Sequence, residues 1–379
     1  MNVHIVDERT APSSYLQEFA EPCGYLDFAR FGPVSASVTA QKVLDAEQIH
    51  RDSTSALARL DLLTEKAQAS AGRLLDANPH EVAFVSSTSH GVFSAAQALS
   101  HQNGTVLVPR DDFPSNIYPW IRAAERGGLK VRWLEGTVTA DSVRAALDSS
   151  VKAVAVSAVD AGSGAKAPLA AIKELIGPDR VLAVDGVQAL GATVIDADAA
   201  DILSAGGQKW LRAGWGAAML LVRDRVADLL QPGLGGWSGV VDPLSGSPHP
   251  HPSLRGAVAH TVTNPDATAT AALGVAMDLV LDAGIATIGS MISDNLARLL
   301  DVASMAGAEI MDSRPAAGIG NFRVPGLDAV ELHEHLARAG ISATRRGGWI
   351  RISPHASSSN QSVDALAAAL SSLPSHQPF

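Results

Sequence analysis

The chain has 379 residues, of which 46% are hydrophobic and 18% charged, so it can bury one large and one smaller core and is too apolar to be disordered. Its 39 acidic and 29 basic side chains give a formal net charge of −10 without a long basic run, which argues against nucleic acid as a partner. Its single cysteine, Cys23, excludes a disulfide scaffold and a cysteine-rich metal site, and it indicates a reducing compartment.

At the N-terminus, the stretch MNVHIVDERTAPSS carries acidic groups where a signal peptide has a basic and then an apolar run. No apolar stretch along the chain approaches the ~20 residues that a membrane-spanning helix needs. We therefore expect a cytoplasmic enzyme without a membrane partner.

From about residue 80, short apolar segments typical of strands alternate with segments of helical spacing. The predicted strands are VAFV (82–85), TVLVP (105–109), KVRWLE (130–135), VKAVAVSAV (151–159), RVLAVDG (180–186), ADILSAG (200–206) and AAMLLVR (217–223). The predicted helices between them lie around GVFSAAQALS, IYPWIRAAERG and PLAAIKELIG. Continuous apolar strands with helical crossovers favour an α/β fold with a mostly parallel sheet that is covered on both faces.

The stretch 230–256 ends this alternation, because it is rich in Gly, Pro and Ser and predicts a long loop. The segments that follow predict a smaller α+β domain: DATATAALGVAMDLVLDAG, AEIMD, GIGNFRVP, DAVELHEHLARAG, WIRIS and SVDALAAALSSL. We expect a large domain over residues 31–260 and a small C-terminal domain over residues 261–379. We expect residues 1–30 to pack on the small domain; packing on a partner is the alternative.

The first of three motifs with candidate functional residues is FVSSTSHG (84–91), in which a strand ends, hydroxyl residues follow and a helix begins. The free N–H groups and the dipole of a helix N-terminus favour a phosphate, and the hydroxyls of Thr88 and Ser89 could add donors. The alternative interpretation is ordinary helix capping by Ser or Thr.

The second motif is VLAVDGVQALGA, in which Asp185 ends an apolar strand. A carboxylate there is costly without a partner, and a protonated ring nitrogen would be such a partner. The alternative is a helix N-cap at Asp185. Gln188 lies three residues further on, in the following turn.

The third motif is SAGGQKWLRAGWG, which contains Lys209. Of the seven lysines, only Lys209 combines a strand end, flanking glycines and a following tryptophan. Ligands of open α/β sheets bind beyond the carboxyl ends of the strands, where all three motifs lie. A phosphate cradle, a carboxylate for a pyridine nitrogen and a lysine for a Schiff base together indicate pyridoxal 5'-phosphate (PLP), with Lys209 as the catalytic acid and base.

These stretches, with YLDFARFGP near residue 25, resemble the class V aminotransferases, whose members include cysteine desulfurases, kynureninase and isopenicillin N epimerase. The likeness runs from about residue 25 to about residue 370. It implies the fold type I of PLP-dependent transferases, with a mostly parallel seven-stranded sheet in the large domain and a smaller α+β domain. It also implies a homodimer with active sites at the subunit interface and an amino-acid substrate.

The resemblance assigns roles around the cofactor. Lys209 would form the Schiff base, Asp185 would pair with the pyridine nitrogen, and Gln188 would donate to the neighbouring ring oxygen. Thr88 and Ser89 would hold the phosphate.

Further roles follow from DDFPSNIYPW and from the C-terminal segments. Phe113 would stack on the cofactor face, although a buried core position is the alternative. Arg351, in WIRISPHASSSN, would bind the substrate carboxylate through a bidentate pair. In ATRRGG, Arg345 aligns better than Arg346 with a second arginine of the family. For Arg351 and Arg345 the alternative is a surface arginine.

Some positions depart from the family pattern. Gln208, expected beside the cofactor, stands where many members have His or Tyr, and Gly206 replaces a serine that binds phosphate in some members. The stretch AVDAGSG leaves Asp160 and Ser163 with different roles or none. In HTVTNPD, Thr263 or Asn264 occupies the place of the threonine that often closes the partner subunit's phosphate site.

The segment RRGGW holds no cysteine where desulfurases carry their catalytic one, so persulfide-forming desulfuration is not expected. His249, His251 and His260 lack the further ligands of a zinc site, and no metal is expected.

Transamination is the nominal reaction, with an α-keto acid as the candidate co-substrate. A β-elimination or carbon–sulfur lyase is the nearest alternative. A PLP-fold binding or regulatory protein without turnover would be favoured if Lys209 or Asp185 were missing, and both are present. A dinucleotide-binding protein is disfavoured because no Gly-x-Gly-x-x-Gly follows the first strands.

Overall fold

The computed structural model describes residues 13–312 and 316–373, so the first twelve residues of the predicted N-terminal segment lie outside the described part. The helices are α1 (Ser13–Gln17), α2 (Ala36–Arg51), α3 (Ser53–Leu75), α4 (Thr88–Leu99), α5 (Pro114–Glu125), α6 (Ala140–Ala146), α7 (Leu169–Ile176), α8 (Ala267–Ala283), α9 (Ile285–Met305), α10 (Ala329–Arg338) and α11 (Asn360–Ser371). The strands are β1 (Val82–Val85), β2 (Gly104–Pro109), β3 (Leu129–Leu134), β4 (Val151–Ser157), β5 (Val181–Asp185), β6 (Ile202–Gly206), β7 (Ala218–Val222), β8 (Glu309–Ile310), β9 (Gly320–Arg323), β10 (Thr344–Arg346) and β11 (Trp349–Ile352).

Seven strands form one large sheet in the order β1-β7-β6-β5-β4-β2-β3. The five strands from β6 to β3 are parallel, whereas β7 is antiparallel to both of its neighbours. Because successive side chains of a strand point to opposite faces, Val184 and Leu203 enter one buried core while Ala183 and Ile202 enter the other. The prediction of a mostly parallel sheet covered on both faces is confirmed.

A second sheet of four antiparallel strands, in the order β10-β11-β9-β8, lies in the C-terminal part of the chain. Helices α9, α10 and α11 contribute to its separate core, which includes Phe322, Leu332, Ile350 and Leu366. This is the smaller α+β unit that the sequence predicts.

The N-terminal segment reaches this second unit through backbone hydrogen bonds. The N–H of Leu26 donates to the carbonyl of Ser342 at 3.0 Å, and the N–H of Ser353 donates to the carbonyl of Leu26 at 2.8 Å. The side chain of Leu26 is buried in the core of the smaller unit. Asp27 is therefore carried to the ends of β10 and β11.

Two long helices, α2 and α3, precede the first strand and were not predicted. Ser35 and Asp52 cap them, each side chain accepting a hydrogen bond from a backbone N–H three residues on. Helix α8 packs on both of them and buries Leu273 and Met277 in a core of the large sheet. The predicted domain limits at residues 31 and 261 stay predictions.

Among the described helices, none alone is long and apolar enough to cross a membrane. Only α8 and α9 together reach the required length and hydropathy, and they meet at an angle of 83°.

Candidate active site

Lys209 lies in the turn that follows β6, at the carboxyl end of the parallel strands. Its side chain is almost fully buried, and its Nζ lies 5.5 Å from the centroid of the Phe113 ring. The pKa of Lys209 is lowered to about 8, mainly by burial; Arg351 and Arg346 act in the same direction, and Asp185 and Asp27 oppose the shift. An amine with this pKa is partly uncharged near neutral pH and can act as a nucleophile.

Asp185 ends β5 and is only 3% exposed. Its Oδ2 accepts a hydrogen bond from the Ser115 hydroxyl at 2.7 Å, and its Oδ1 accepts one from the backbone N–H of Val187 at 3.0 Å. Burial raises the pKa of the Asp185 carboxyl, although both hydrogen bonds and the charge of Lys209 oppose the shift. Because turns rather than a helix follow Asp185, the N-cap alternative is wrong.

The N-terminus of α4 forms one end of the site. Ser87 is the helix cap, since its hydroxyl accepts from the N–H of His90, so Thr88 and Ser89 lie in the first turn. Their own N–H groups have no acceptor within the helix. The Thr88 hydroxyl accepts from the N–H of Gly206 at 2.8 Å, and Ser89 is exposed.

Gln208 shares this end of the site. A Cβ added at Gly206 would lie 2.2 Å from the Gln208 Oε1 and 3.1 Å from the Thr88 Oγ1. The glycine therefore makes room for the Gln208 amide beside Thr88. This is the physical reason why a serine does not fit here without moving Gln208.

Phe113 is the residue before α5 and is 37% exposed, so the core alternative is wrong. Two cations lie over its ring, the Nζ of Lys209 and the guanidinium of Arg346, whose Cζ is 5.6 Å from the ring centroid. The ring is thus available to a flat ligand placed beside Lys209.

Gln188 is buried and held from two sides. Its Nε2 donates to the carbonyl of Ala29 at 2.9 Å, and its Oε1 accepts from the Trp210 indole at 2.9 Å. These bonds tie the turn after β5 to the residue after Lys209, which explains the tryptophan at that position. The proposed contact of Gln188 with a ring oxygen stays a prediction.

Arg351, on β11, is fully buried and not a surface arginine. Its guanidinium donates to the carbonyl of Ala161 at 2.8 Å and forms an ion pair with Asp27 at 3.2 Å. Its buried Nε has no hydrogen-bond partner in the part of the chain that the structure describes. An unpartnered buried donor is costly, so this edge of the guanidinium is suited to an incoming acceptor.

Alternation along β10 separates the two neighbouring arginines. Thr344 donates to Asp27 at 2.8 Å, and Arg346, two residues on, lies on the same face and reaches Phe113. Arg345 is exposed and lines another recess with Asp328. The structure therefore brings Arg346, and not Arg345, to the site.

The remaining residues named from the sequence have other partners in this chain. Thr263 and Asn264 are exposed, and the Thr263 hydroxyl accepts a hydrogen bond from the Trp237 indole at 3.1 Å. Asp160 accepts hydrogen bonds from the N–H groups of Gly162 and Ser163, which shapes the turn that presents the Ala161 carbonyl to Arg351.

The donor set fits PLP. It offers a nucleophilic lysine, a buried carboxylate, an exposed aromatic face and free N–H groups at a helix N-terminus. Within residues 13–312 and 316–373, no group of three or more His, Cys, Asp and Glu side chains is placed to hold a metal ion.

Sequence reasoning missed Asp27, Ser115 and the role of Trp210. Asp27 and Ser115 stand in stretches already noted, YLDFARFGP and DDFPSNIYPW. Their partners are 324 and 70 residues away in the chain. No local pattern signals such pairings.

Comparison with known proteins agrees with the family resemblance seen in the sequence. The family described as aminotransferase class V matches residues 33–353. A kynureninase from Deinococcus radiodurans is 28% identical over 249 residues, 63% of this chain and 60% of that protein. A cysteine desulfurase from Enterobacter sp. (strain 638) is 27% identical over 239 residues, 57% of each chain. The chain thus spans about three fifths of the length of these two relatives.

Among solved structures, the complex of the cystine C–S lyase C-DES with its reaction product cysteine persulfide has a TM-score of 0.84. The match covers 92% of this chain and 97% of that one at 18% identity, which shows a shared fold.

Proposed function

The chain belongs to the class V aminotransferase family and has the fold type I architecture of PLP-dependent enzymes, and on this premise we propose that it is a PLP enzyme acting at the α-carbon of an amino acid, nominally by transamination. One observation carries the proposal. Lys209 is buried, has a lowered pKa and lies beside the exposed ring of Phe113. The buried carboxylate of Asp185 stabilises the charged form of Lys209. A structural lysine would gain nothing from this environment, since burial of an unpaired ammonium group is unfavourable.

PLP, when bound, supplies an electron sink for the negative charge that develops at the substrate α-carbon. Lys209 would attach it covalently and then, once released, move the α-proton as a free amine. Asp185 would keep the ring nitrogen protonated, since a buried carboxylate favours a cation beside it. The Ser115 hydroxyl supports this role by donating to the Asp185 carboxylate.

The other side chains would bind and orient. Thr88, Ser89 and Gln208 would hold the phosphate at the N-terminus of α4, and Phe113 would stack on the ring. Gln188 would donate its remaining amide hydrogen to the ring oxygen.

Arg351 would bind the substrate α-carboxylate through its unpartnered Nε edge, while Asp27 and the Ala161 carbonyl fix the rest of the guanidinium. Such an arrangement positions one planar fork for one carboxylate.

We further propose a homodimer in which Thr263 and Asn264 approach the partner's phosphate site. Their exposure, beside the exposed apolar side chains of Trp237 and Val262, supports a contact there. Measurement of the molar mass in solution for the wild type and for Trp237→Glu tests the dimer.

A lyase that eliminates at the β-carbon, including carbon–sulfur cleavage, is the second candidate. It is supported by the likeness to a cystine C–S lyase and by the segment RRGGW, which contains no cysteine. A persulfide-forming mechanism on an enzyme cysteine is not proposed.

The proposed attachment of PLP to Lys209 is tested by borohydride reduction of the purified PLP-loaded protein, followed by peptide mapping. We expect the cofactor label on Lys209, loss of the label in Lys209→Ala, and normal labelling in Lys166→Ala. Lys166 is a matched control because its Nζ donates elsewhere, to Thr193 and to the Val194 carbonyl. Label on any residue other than Lys209 would overturn the assignment.

Incubation with amino acids then separates the reactions. Conversion of the cofactor to its pyridoxamine form, restored by an α-keto acid, indicates transamination, whereas pyruvate with ammonia or sulfide indicates elimination. No absorbance change with any amino acid would favour a binding protein without turnover.

A further inference from the structure

Arg212 lies three residues after Lys209, in a backbone conformation that residues with side chains rarely adopt. Its φ of 60° is in the left-handed region, and its N–H donates to the Lys209 carbonyl at 3.1 Å. The other described non-glycine residues with positive φ, Asp76 and Asp242, are aspartates, which tolerate this region better than arginine does. The turn that carries Lys209 is therefore strained at Arg212, and other contacts must hold it.

These contacts come from the guanidinium group of Arg212, which is fully buried. Its Nε donates to the Pro33 carbonyl at 2.6 Å, and its two terminal nitrogens donate to the two carboxylate oxygens of Glu21. The guanidinium also lies over the ring of Phe19, with its Cζ 3.6 Å from the ring centroid. Residues 19–33, which precede α2, thus hold the guanidinium from several sides.

The loop that follows β11 contributes to the same network. One terminal nitrogen of Arg212 lies 3.1 Å from the Ser357 hydroxyl and 3.2 Å from Nδ1 of His355. Burial, together with the charge of Arg212, keeps the pKa of His355 well below its ordinary value, so the ring is neutral. Because a guanidinium only donates, Nδ1 of His355 is the acceptor, and its Nε2 donates to the Tyr15 hydroxyl at 3.3 Å.

Residues 19–33 also reach the backbone of Lys209 directly. The N–H of Gly32 donates to the Gln208 carbonyl at 2.9 Å, and a Cβ added at Gly32 would lie 2.0 Å from the Lys209 carbonyl oxygen. The turn is therefore enclosed by a stretch of chain that Arg212 fastens in place. Since burial is the main cause of the lowered pKa of Lys209, loosening this enclosure should admit water and raise that pKa.

We propose that Arg212 is a positioning residue for Lys209: paired with Glu21, it keeps the strained turn closed and the Lys209 amine buried in the site. The docking of residues 19–33 is then a condition for a reactive lysine. The inference rests on the proposed function for the use made of that amine, whereas the positioning itself is a property of the apoprotein.

Positioning can be separated from a direct effect of charge, because Arg212 and Glu21 carry opposite charges. Loss of the positive charge of Arg212 would by itself favour the ammonium form of Lys209 and raise its pKa. Loss of the negative charge of Glu21 would by itself lower it. Loosening of the turn raises the pKa of Lys209 in both cases, since water then reaches the amine.

The experiment measures the acetylation of Lys209 by acetic anhydride in the apoprotein at a series of pH values. Mass spectrometry of the peptide that contains Lys209 gives the rate, without cofactor or turnover. The wild-type rate should inflect near pH 8, in line with a pKa of about 8. In Arg212→Gln the inflection should move up by about one pH unit, and Glu21→Gln should move it up by less.

Arg223→Gln is the matched control for a loss of stability alone. Arg223 is also buried and paired with a glutamate, Glu81, at 3.4 Å. It follows β7, at the edge of the large sheet opposite to Lys209, because β7 runs antiparallel to β6. Arg223→Gln should lower Tm, as Arg212→Gln does, and keep the inflection of Lys209 near the wild-type value.

The inference is overturned if Arg212→Gln or Glu21→Gln, once folded, keeps the wild-type inflection or moves it to lower pH. It is also overturned if Arg223→Gln raises the inflection as far as Arg212→Gln does. If Arg212→Gln does not fold, Glu21→Gln decides alone, because glutamine keeps the shape of the glutamate side chain. All these outcomes leave the proposed function in place, which fails instead if borohydride fixes no cofactor to Lys209 of the wild type.

Discussion

The lowered pKa of Lys209 predicts how fast the apoprotein takes up its cofactor at different pH values. Burial lowers this pKa from the ordinary 10.5 to about 8. At pH 7 about one tenth of the Lys209 amines are then uncharged, against about three in ten thousand for an ordinary lysine. Since only the uncharged amine attacks an aldehyde, attachment near neutral pH should be about 300-fold faster than an unperturbed lysine would allow.

The assay mixes apoprotein with PLP in a stopped-flow instrument and records the visible absorbance that accompanies covalent attachment. The rate constant should rise about tenfold per pH unit below pH 7, about fivefold between pH 7 and pH 8, and level off above pH 8. In Asp185→Asn the inflection should move to lower pH, because the Asp185 carboxylate raises the pKa of Lys209. Lys166→Ala should follow the wild-type profile.

Reaction of PLP with N-α-acetyl-lysine in the same buffers corrects for the titration of the cofactor itself. After this correction, an inflection near the ordinary lysine value would refute the reasoning. So would an Asp185→Asn profile that moves to higher pH, since the carboxylate would then not stabilise the ammonium form.

Three further variants test the neighbouring groups. Burial raises the pKa of Asp185, so the stability that its protonated form contributes to the apoprotein is present at low pH and lost as the pH rises through the raised value. Asp185→Asn should therefore flatten the dependence of Tm on pH and also abolish most turnover; turnover within a few-fold of wild type would count against a role at the ring nitrogen. Arg351→Lys should weaken substrate binding by ~2–5 kcal/mol, at least ~30-fold, and leave the cofactor absorbance near wild type, because lysine lacks the planar fork. An equal loss with the matching amine that lacks the carboxylate would show that Arg351 does not bind this group. Gly206→Ala should displace the Gln208 amide with little effect on Tm, since the large movement is confined to the end of a flexible side chain and the Thr88 hydroxyl has to shift only slightly, and it should raise the Kd of PLP. An unchanged Kd in equilibrium dialysis would exclude Gln208 from the phosphate site.

Phe113 illustrates the limit of residue-type statistics. A phenylalanine is most often buried, yet this one is 37% exposed, because it precedes α5 at the sheet edge and Lys209 and Arg346 approach its ring. The helices before residue 80 and the three-residue β10 also escaped prediction. The first lie outside the strand and helix alternation, and the second is too short to show a period.

The sequence by itself determined the large sheet and the positions of its reactive groups. Long apolar strands must be covered on both faces, and parallel strands bring their carboxyl ends to one edge, so Asp185 and Lys209 had to meet there. These are consequences of local pattern and chain direction, which can be read along the sequence.

Only the tertiary structure decided how the arginines are used. Whether Arg345 or Arg346 faces the site depends on which face of β10 packs towards Asp27, and a three-residue strand carries no pattern that reveals it. The ion pair of Arg351 with Asp27 joins positions 324 residues apart. Such pairs form because the backbone of the N-terminal segment hydrogen-bonds to the smaller unit. The burial of Arg351 and the pairing of its charge exist only once these contacts have formed.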